Sequence, residues 1–223
     1  KDTTLTFYKQ QRISEAEKSF NLLYGNVPAE PAKFGYLWTK KGKELKTYPF
    51  DISNVEERAK MARKAIELSD DGADVYYGVN LMDTAPAADA RAKADQVTMQ
   101  TAVVTDIDIE GGNHISNEQT KYPPNFDVAK SFLPFEPSIL INSGYGLHAL
   151  NIFNPPMSIT ADNRESCVER NKKFLKIIRS RAGIYQKAVD AVHDLPRVLR
   201  VPGTYNYKMG RDNAPLCHIV KVN

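Results

Sequence analysis

Apolar residues in the first quarter of the chain recur every three or four positions, which is the spacing of a helix with one buried face. Over residues 13–25 this spacing predicts a helix that buries Ala16, Phe20 and Leu23. Ser14, with a glutamate three residues later, predicts the point where that helix begins. The first element of the chain is therefore predicted to be an amphipathic helix.

The pattern then changes to apolar and polar residues in alternation, which is typical of strands with one buried face. Turn-forming and capping residues separate these strands from a second amphipathic helix, which we expect Ser53 to cap. The predicted elements are a hairpin over 33–39 and 43–50, a helix over 53–72 and a strand over 73–82. Together with the first helix they form an αββαβ lobe.

An alanine-rich stretch, 83–96, has no clear apolar stripe, and we interpret it as a mobile connection with one helical turn. The elements predicted after it are strands over 102–109, 138–143, 147–153, 197–201 and 216–222, and helices over 125–132 and 162–183, the second capped by Asp162. With one of the last two segments as the closing strand, their order is β-α-β-β-α-β, as in ferredoxin-like and RRM-like sheets. We therefore predict a single α+β domain, residues 1–223, with lobes of about 1–98 and 99–223.

The strand over 102–109 contains two aspartates in a β-branched run, "VVTDIDIEGGNH". Alternate residues of a strand point to the same side, so Asp106 and Asp108 share a face, roughly 7 Å apart. Burying an unpaired carboxylate is costly, and aspartate forms strands poorly. Either this face is open to water, or positive charge lies on it.

Composition limits the classes of protein to consider. The 223 residues are 42% hydrophobic and 26% charged, with a net charge of +3, as in an ordinary globular protein. No apolar run approaches the roughly 18 residues of a membrane helix, and there is no leader segment. Two cysteines exclude a disulfide scaffold and a cysteine-based zinc site. We expect a cytoplasmic protein with no membrane partner, and the start at Lys1 indicates a domain cut from a longer chain.

Positive charge is concentrated at the C-terminal end, where residues 162–223 contain 13 lysines and arginines against 6 acidic residues. Four of these cations are expected to lie on a solvated helix face: Lys172, Lys173, Lys176 and Arg179. Three others lie in an apolar stretch interrupted by proline and glycine, where solvation explains them less well: Arg197, Arg200 and Lys208. These three are candidates for binding an anion.

Two carboxylates on one strand face suit Mg²⁺ or Mn²⁺, which prefer oxygen ligands and leave positions for substrate phosphates. A second motif, "SGYGLH", indicates a phosphate-binding turn, with Gly144 and Gly146 allowing close backbone approach and Ser143 and His148 supplying polar groups. The alternative for this motif is a plain hairpin turn.

A third metal ligand could come from the loop after the acidic strand, from Glu110 or His114, although loop solvation explains both residues more simply. His193, Cys217 and His218 lack the spacing of a zinc site, so we reject zinc.

The two motifs, followed by "VDAVHDLPRVLRVPGTYNYK" at 189–208, together resemble the archaeo-eukaryotic primase superfamily. The likeness is to its primase-polymerase branch in plasmids, viruses and other mobile or CRISPR-associated elements, over about residues 30–220. It implies that Asp106 and Asp108 bind metal and that Asp190 is the third ligand, with Asp194 as the rival. It also implies nucleotide binding by the turn from Ser143 to His148 and by the three cations named above.

This resemblance implies template-directed synthesis and extension of primers, by transfer of nucleotides from (d)NTPs with Mg²⁺ or Mn²⁺. The implied partners are a single-stranded DNA template, a primer, nucleotides and a helicase or other flanking domain. Three alternatives stay open: a catalytically silent replication initiator, a single-strand RNA-binding module of the same fold, and a nucleotide cyclase. The choice between ribo- and deoxynucleotides, and between starting and extending chains, is open as well.

Overall fold

The computed structural model describes residues 3–111 and 121–223 of the chain. Its first half has the predicted helix, hairpin, helix and strand, followed by a further short strand. The elements are α1 (Thr3–Tyr24), β1 (Phe34–Lys41), β2 (Glu44–Asp51), α2 (Val55–Asp70), β3 (Asp74–Gly78) and β4 (Leu81–Met82). The αββαβ order predicted for this part is confirmed.

The second half contains the remaining strands and two helices. These elements are β5 (Val97–Asp108), α3 (Phe126–Ser131), β6 (Ile139–Asn142), β7 (Gly146–Ser158), α4 (Arg164–Ile184), β8 (Val198–Arg200) and β9 (His218–Val222). A 3₁₀ turn, Tyr207–Met209, lies between the last two strands. The predicted α+β class is confirmed.

One sheet runs through both halves of the described chain, in the order β8-β3-β1-β4-β5-β7-β6-β9, with β2 paired to β1. The short strand β4 joins the halves, because it pairs with β1 on one side and with β5 on the other. Strand β8 comes from the second half of the sequence but pairs antiparallel with β3. The candidate site depends on this pairing between strands from the two halves of the sequence.

Strands β5, β7 and β6 form the predicted split βαβ arrangement, in which β7 lies antiparallel between two strands joined through α3. The closing strand β9 pairs with β6. In a ferredoxin-like sheet the last strand lies beside the first. Here β4 pairs with β5 at that position instead, so the sheet continues into the N-terminal half.

Two hydrophobic clusters lie on the two sides of the C-terminal part of the sheet. The larger cluster contains the predicted stripe of α1, Ala16, Phe20 and Leu23, all at most 1% exposed. The other cluster packs α3 and α4 on the opposite side of β5, where Ile107 is fully buried. Because α3 and α4 cover only that side, the face of β5 that carries Asp106 and Asp108 is free to line a cavity.

Three predicted details of the helices are wrong. Helix α1 begins at Thr3, so Ser14 lies inside it and is not its cap. Asn54, not Ser53, caps α2 by accepting a hydrogen bond from the Glu56 amide. The cap residue of α4 is Asn163, not Asp162, and its side chain accepts no capping hydrogen bond. For α2 and α4 the residue next to the predicted cap also satisfies the sequence pattern for a helix start, whereas α1 extends eleven residues beyond its predicted start.

The stretch 83–96 contains no helix, because its backbone is hydrogen bonded to the sheet. The Thr47 amide donates to the Ala88 carbonyl at 2.7 Å, and the Thr47 hydroxyl donates to the Ala90 carbonyl at 2.7 Å. The stretch still contains a single hydrogen-bonded turn, in which the Gln96 amide donates to the Lys93 carbonyl at 3.1 Å, so the prediction of one helical turn is not contradicted. Within the described residues, no helix has the length and apolar character needed to cross a membrane.

Candidate active site

A cavity of about 150 Å³ lies where β5 and β7 face β3 and β8. Strand β8 is at one end of the sheet order and β5 is in its middle, so the sheet must curl for both to line one cavity. The lining residues are Tyr76, Asp106, Asp108, Ser143, His148, Val198, Leu199, Arg200, Asn206 and Lys208. Six of these were predicted from the sequence as site residues.

Asp106 and Asp108 both line the cavity, as the alternation of the strand predicted. The Asp106 side chain is only 27% exposed and accepts no hydrogen bond from any described residue. Burial raises the pKa of Asp106 to about 6, and nearby Asp190 raises it further, while Arg197 and Lys208 oppose the shift. A desolvated carboxylate without a hydrogen-bond donor is stabilised either by taking up a proton or by a nearby cation.

His148 lies directly opposite Asp106 in the β5–β7 register, with Nε2 3.6 Å from the carboxylate. The imidazole is 6% exposed, and burial, with the charge of Arg200, lowers the pKa of His148 to about 3. The ring is therefore neutral at physiological pH. Its Nδ1 is buried and has no hydrogen-bond partner among the described residues. A neutral imidazole in this position can orient a ligand but adds no charge to the cavity.

The turn from Ser143 to Gly146 needs both of its glycines for packing. Gly144 has φ +97°, and a Cβ there would lie 2.7 Å from the Pro215 ring. A Cβ at Gly146 would lie 2.7 Å from the Ile107 carbonyl oxygen. Neither glycine lines the cavity, so the turn presents only Ser143 to it. The predicted role of the glycines in phosphate binding stays a prediction.

Arg200 is 3% exposed, and its guanidinium is held by neighbouring groups of the protein. Nη1 donates to the Asp74 carboxylate at 2.7 Å and to the Tyr205 carbonyl at 3.1 Å, and Nη2 donates to the Tyr76 hydroxyl at 2.9 Å. The guanidinium also stacks on the Tyr76 ring, 4.7 Å from its centroid. Arg200 therefore contributes charge to the cavity wall while fixing β8 to β3.

Lys208 is exposed at the cavity and forms no ion pair with any described residue. Asn206 positions the segment that carries it: its side-chain amide donates to the Ser143 carbonyl at 2.8 Å, and its side-chain oxygen accepts from the Lys208 amide. Of the three predicted anion-binding cations, Lys208 is the one best placed to bind a ligand in this cavity.

Asp190, Asp194 and Arg197 do not line the cavity. Asp190 is exposed, directly after the buried Val189, and close enough to Asp106 to affect its pKa. Asp194 accepts two hydrogen bonds from the Arg197 guanidinium, at 2.6 and 3.0 Å. The Asp194 carboxylate and the Arg197 guanidinium are therefore paired with each other outside the cavity.

The loop candidates for a third ligand give no support for that role. Lys187 forms an ion pair with Glu110 at 3.3 Å, and His114 lies outside the described residues. Within residues 3–111 and 121–223, no group of three or more His, Cys, Asp or Glu side chains is arranged to hold a metal ion.

The carboxylate pair nevertheless fits a hard divalent cation. Mg²⁺ commonly binds to one or two carboxylates and completes its coordination with water and substrate phosphates, so it does not need a cage of protein ligands. Asp106, buried without a hydrogen-bond donor, supplies the negative charge that such an ion would neutralise. Asp106 and Asp108 are the residues that would hold it.

No protein-family model and no curated protein sequence matches the chain. Among solved structures, the chain is similar to the AEP domain of the cyanophage S-2L primase-polymerase. The two share 13% sequence identity, the likeness covers 94% of this chain and 90% of that chain, and the TM-score is 0.53. The chain has the fold of a primase-polymerase domain. The predicted resemblance is thus confirmed at the level of the fold.

Two structures of the primase RepB′ have lower TM-scores. One shares 12% identity over 93% of this chain and 56% of that chain, with a TM-score of 0.45. The other, its catalytic domain in complex with initiator DNA, shares 13% identity over 93% of this chain and 85% of that chain, with a TM-score of 0.44.

Three residues of this primase-polymerase fold that shape the site were missed from the sequence. Tyr76 lines the cavity from β3, Asp74 anchors Arg200, and Asn206 fixes Ser143. Asp74 and Tyr76 share one side of a strand by alternation, the same signal that identified Asp106 and Asp108. No local pattern marks Asn206, because its partner is 63 positions away.

If His148 has the nucleotide-binding role implied by the sequence resemblance, replacing it with alanine should raise the KM for nucleotide and lower kcat, with little change in template binding. The neutral imidazole borders the cavity beside Asp106, where it can position a bound triphosphate. Steady-state kinetics with varied nucleotide and anisotropy with labelled template measure the two effects separately. Loss of template binding alone, or unfolding of the variant, would show that His148 has a different role.

Proposed function

We propose that this chain is a template-directed nucleotidyltransferase that makes and extends primers from (d)NTPs. The observation that carries the proposal is the pair Asp106 and Asp108 in a cavity that also contains Ser143, His148 and Lys208. A half-buried carboxylate pair beside hydroxyl, imidazole and ammonium groups suits a metal-bound triphosphate. The fold supports the same conclusion, since a structural neighbour is a primase-polymerase domain.

In the proposed reaction the 3′-hydroxyl of a primer, or of a first nucleotide, attacks the α-phosphate of the incoming nucleotide. A new phosphodiester bond forms, the bond to pyrophosphate breaks, and the hydroxyl proton is released. Bound divalent ions, when present, lower the pKa of the attacking hydroxyl and neutralise charge on the phosphates. Most of the remaining contribution of the protein is positioning and electrostatics.

Each cavity residue has a distinct part in this proposal. Asp106 and Asp108 hold the cation, and Lys208 pairs with the outer phosphates because its ammonium group is exposed there. Ser143 and His148 donate or accept hydrogen bonds at the cavity wall. Arg200 is 3% exposed and its guanidinium already donates three hydrogen bonds to protein groups, so we assign its main effect on the triphosphate to its positive charge.

The direct test is incorporation of labelled nucleotide on a single-stranded template, with and without a primer, in Mg²⁺, in Mn²⁺ and in EDTA. The proposal expects incorporation that depends on both template and metal. Binding of DNA without incorporation under any of these conditions would instead identify a silent initiator. Incorporation without a template would contradict the template-directed reaction.

The third carboxylate ligand is proposed to be Asp190, with Asp194 as its matched comparison. Asp190→Asn should weaken Mn²⁺ binding and lower activity, whereas Asp194→Asn should stay active because Asp194 is already paired with Arg197. Calorimetric titration of Mn²⁺ and activity at increasing Mn²⁺ should both separate the variants. An inactive Asp194→Asn beside a normal Asp190→Asn would move the assignment to Asp194.

A further inference from the structure

A second cavity, a groove of about 430 Å³, lies between α4 and the segment that leads back to the candidate active site. Its lining is basic and contains no carboxylate. The lining residues are Lys172, Leu175, Lys176, Arg179, Ser180, Ala191 and His193. We refer to this cavity as the α4 groove.

Three cations of the α4 groove lie on one face of the helix, at positions i, i+4 and i+7. Lys176 forms no ion pair with any described residue. Lys172 pairs with Glu169 at 2.6 Å, but both side chains are about half exposed, so this pair contributes little stability. Arg179 donates through Nε to the Val189 carbonyl at 2.9 Å, which ties the helix to the opposite wall. These lysines are therefore available to an external anion.

One wall of the α4 groove belongs to the segment that leads to the candidate active site: Ala191 and His193 line the groove, and Val198 and Leu199, a few residues later, line the active-site cavity. His193 lines both the groove and a small neighbouring cavity, which is also lined by Asp194, Arg197 and Val104. Val104 is on β5, two residues before Asp106 and on the same side of the strand. A strand of nucleic acid leaving the candidate active site on this side would pass beside the three cations.

We propose that the α4 groove binds the phosphodiester backbone of the nucleic-acid strand whose end lies in the candidate active site. The proposal rests on the proposed function and names the surface that holds its polymeric substrate. Residues 172 and 179 are about 10 Å apart along the helix axis. Successive phosphates of one DNA strand advance by about 3.4 Å along its axis, so the row of cations spans about three or four of them.

The test measures DNA binding in an Asp106→Asn background, so that no nucleotide is incorporated during the measurement. A fluorescein-labelled primer–template is titrated with protein at several salt concentrations, and anisotropy gives the affinity. Lys176→Ala is expected to weaken binding several-fold and to lower the slope of log affinity against log salt by about 1. The double variant Lys172→Ala/Lys176→Ala should lower that slope by about 2.

Lys173→Ala is the matched control, because Lys173 is an exposed lysine on the same helix that does not line the groove. It should leave both affinity and slope near those of the parent. Equal effects of Lys173→Ala and Lys176→Ala would mean a general charge effect and would overturn the proposal. Weaker binding of a free (d)NTP, with unchanged DNA binding, would overturn it as well.

Failure of this inference is distinguishable from failure of the proposed function. If the wild-type chain polymerises but Lys176→Ala binds primer–template normally, only the α4 groove assignment is wrong. A second outcome is that neither the wild type nor any variant incorporates nucleotide. If Lys176→Ala then binds primer–template more weakly and with a lower salt slope than the wild type, while Lys173→Ala does not, the groove binds nucleic acid in a protein that is not a polymerase.

Discussion

Replacing Asp106 with asparagine is expected to lower nucleotide incorporation by about 100-fold or more, without loss of the fold. The substitution keeps the shape of the side chain but removes the buried negative charge that would hold the cation. Primer extension in Mg²⁺ and Mn²⁺ measures the effect, and circular dichroism checks the fold. Asp212→Asn, a change at an exposed aspartate outside the cavity, is the matched control and should stay active.

The same variant should be more stable than the wild type in EDTA at neutral pH. The pKa of Asp106 is about 6 in the folded chain, above its ordinary value of 3.8, so the folded state holds the proton more tightly. The free energy of unfolding of the wild type should therefore fall as the pH rises from 3.8 through 6, by about 3 kcal/mol in all.

Thermal melts of the wild type and of Asp106→Asn at pH 4.5 and pH 7.5 test the direction of this pH dependence. The advantage of Asp106→Asn should grow with pH in EDTA, and Mn²⁺ should stabilise the wild type more than the variant. An advantage that shrinks with pH, or equal stabilisation by Mn²⁺, would contradict the assignment of Asp106 as a buried cation ligand. These measurements do not depend on catalytic activity.

Replacing Arg200 with alanine is expected to destabilise the chain by about 3 kcal/mol. The variant leaves the Asp74 carboxylate, whose side chain is 16% exposed, without its guanidinium partner. It also removes hydrogen bonds to the Tyr76 hydroxyl and the Tyr205 carbonyl. The midpoint of thermal unfolding should fall by about 10 °C.

Lys208→Ala is the comparison for Arg200, because it removes the same charge from the same cavity at an exposed side chain. It should leave the unfolding midpoint near the wild-type value and raise the KM for nucleotide. If Arg200→Ala melts like the wild type and loses only nucleotide binding, then Arg200 is a direct ligand of the triphosphate, and the structural role assigned to it is wrong.

Local features of the sequence were enough to predict most helices and strands, and to predict that Asp106 and Asp108 lie on one face of a strand. Alternation along one strand requires Asp106 and Asp108 to share a face wherever that strand lies. In the same way, helical spacing put Ala16, Phe20 and Leu23 on the buried side of α1. The resemblance in sequence motifs also led to the correct fold, which the cyanophage domain shares at 13% identity.

Predictions from the sequence were weaker where several positions satisfy one local rule. Ser14 and Ser53 both match the pattern of a helix start, yet α1 begins eleven residues before Ser14 and Asn54 caps α2. The connection over 83–96 carries alanines that favour a helix, but hydrogen bonds to Thr47 hold it in another conformation. The division into two lobes stays a prediction, since a single sheet continues through both.

The sequence by itself determined which side chains are candidates for the chemistry: the aspartates of β5, the serine and histidine around a tight turn, and a basic C-terminal segment. The tertiary structure alone decided which of those groups line one cavity and which are held by other protein groups. Pairing of β8 with β3 buries Arg200 against Asp74, while Asn206 leaves Lys208 exposed at the cavity. Both outcomes depend on contacts between residues far apart in the chain, which spacing along the sequence cannot encode because it fixes only local geometry.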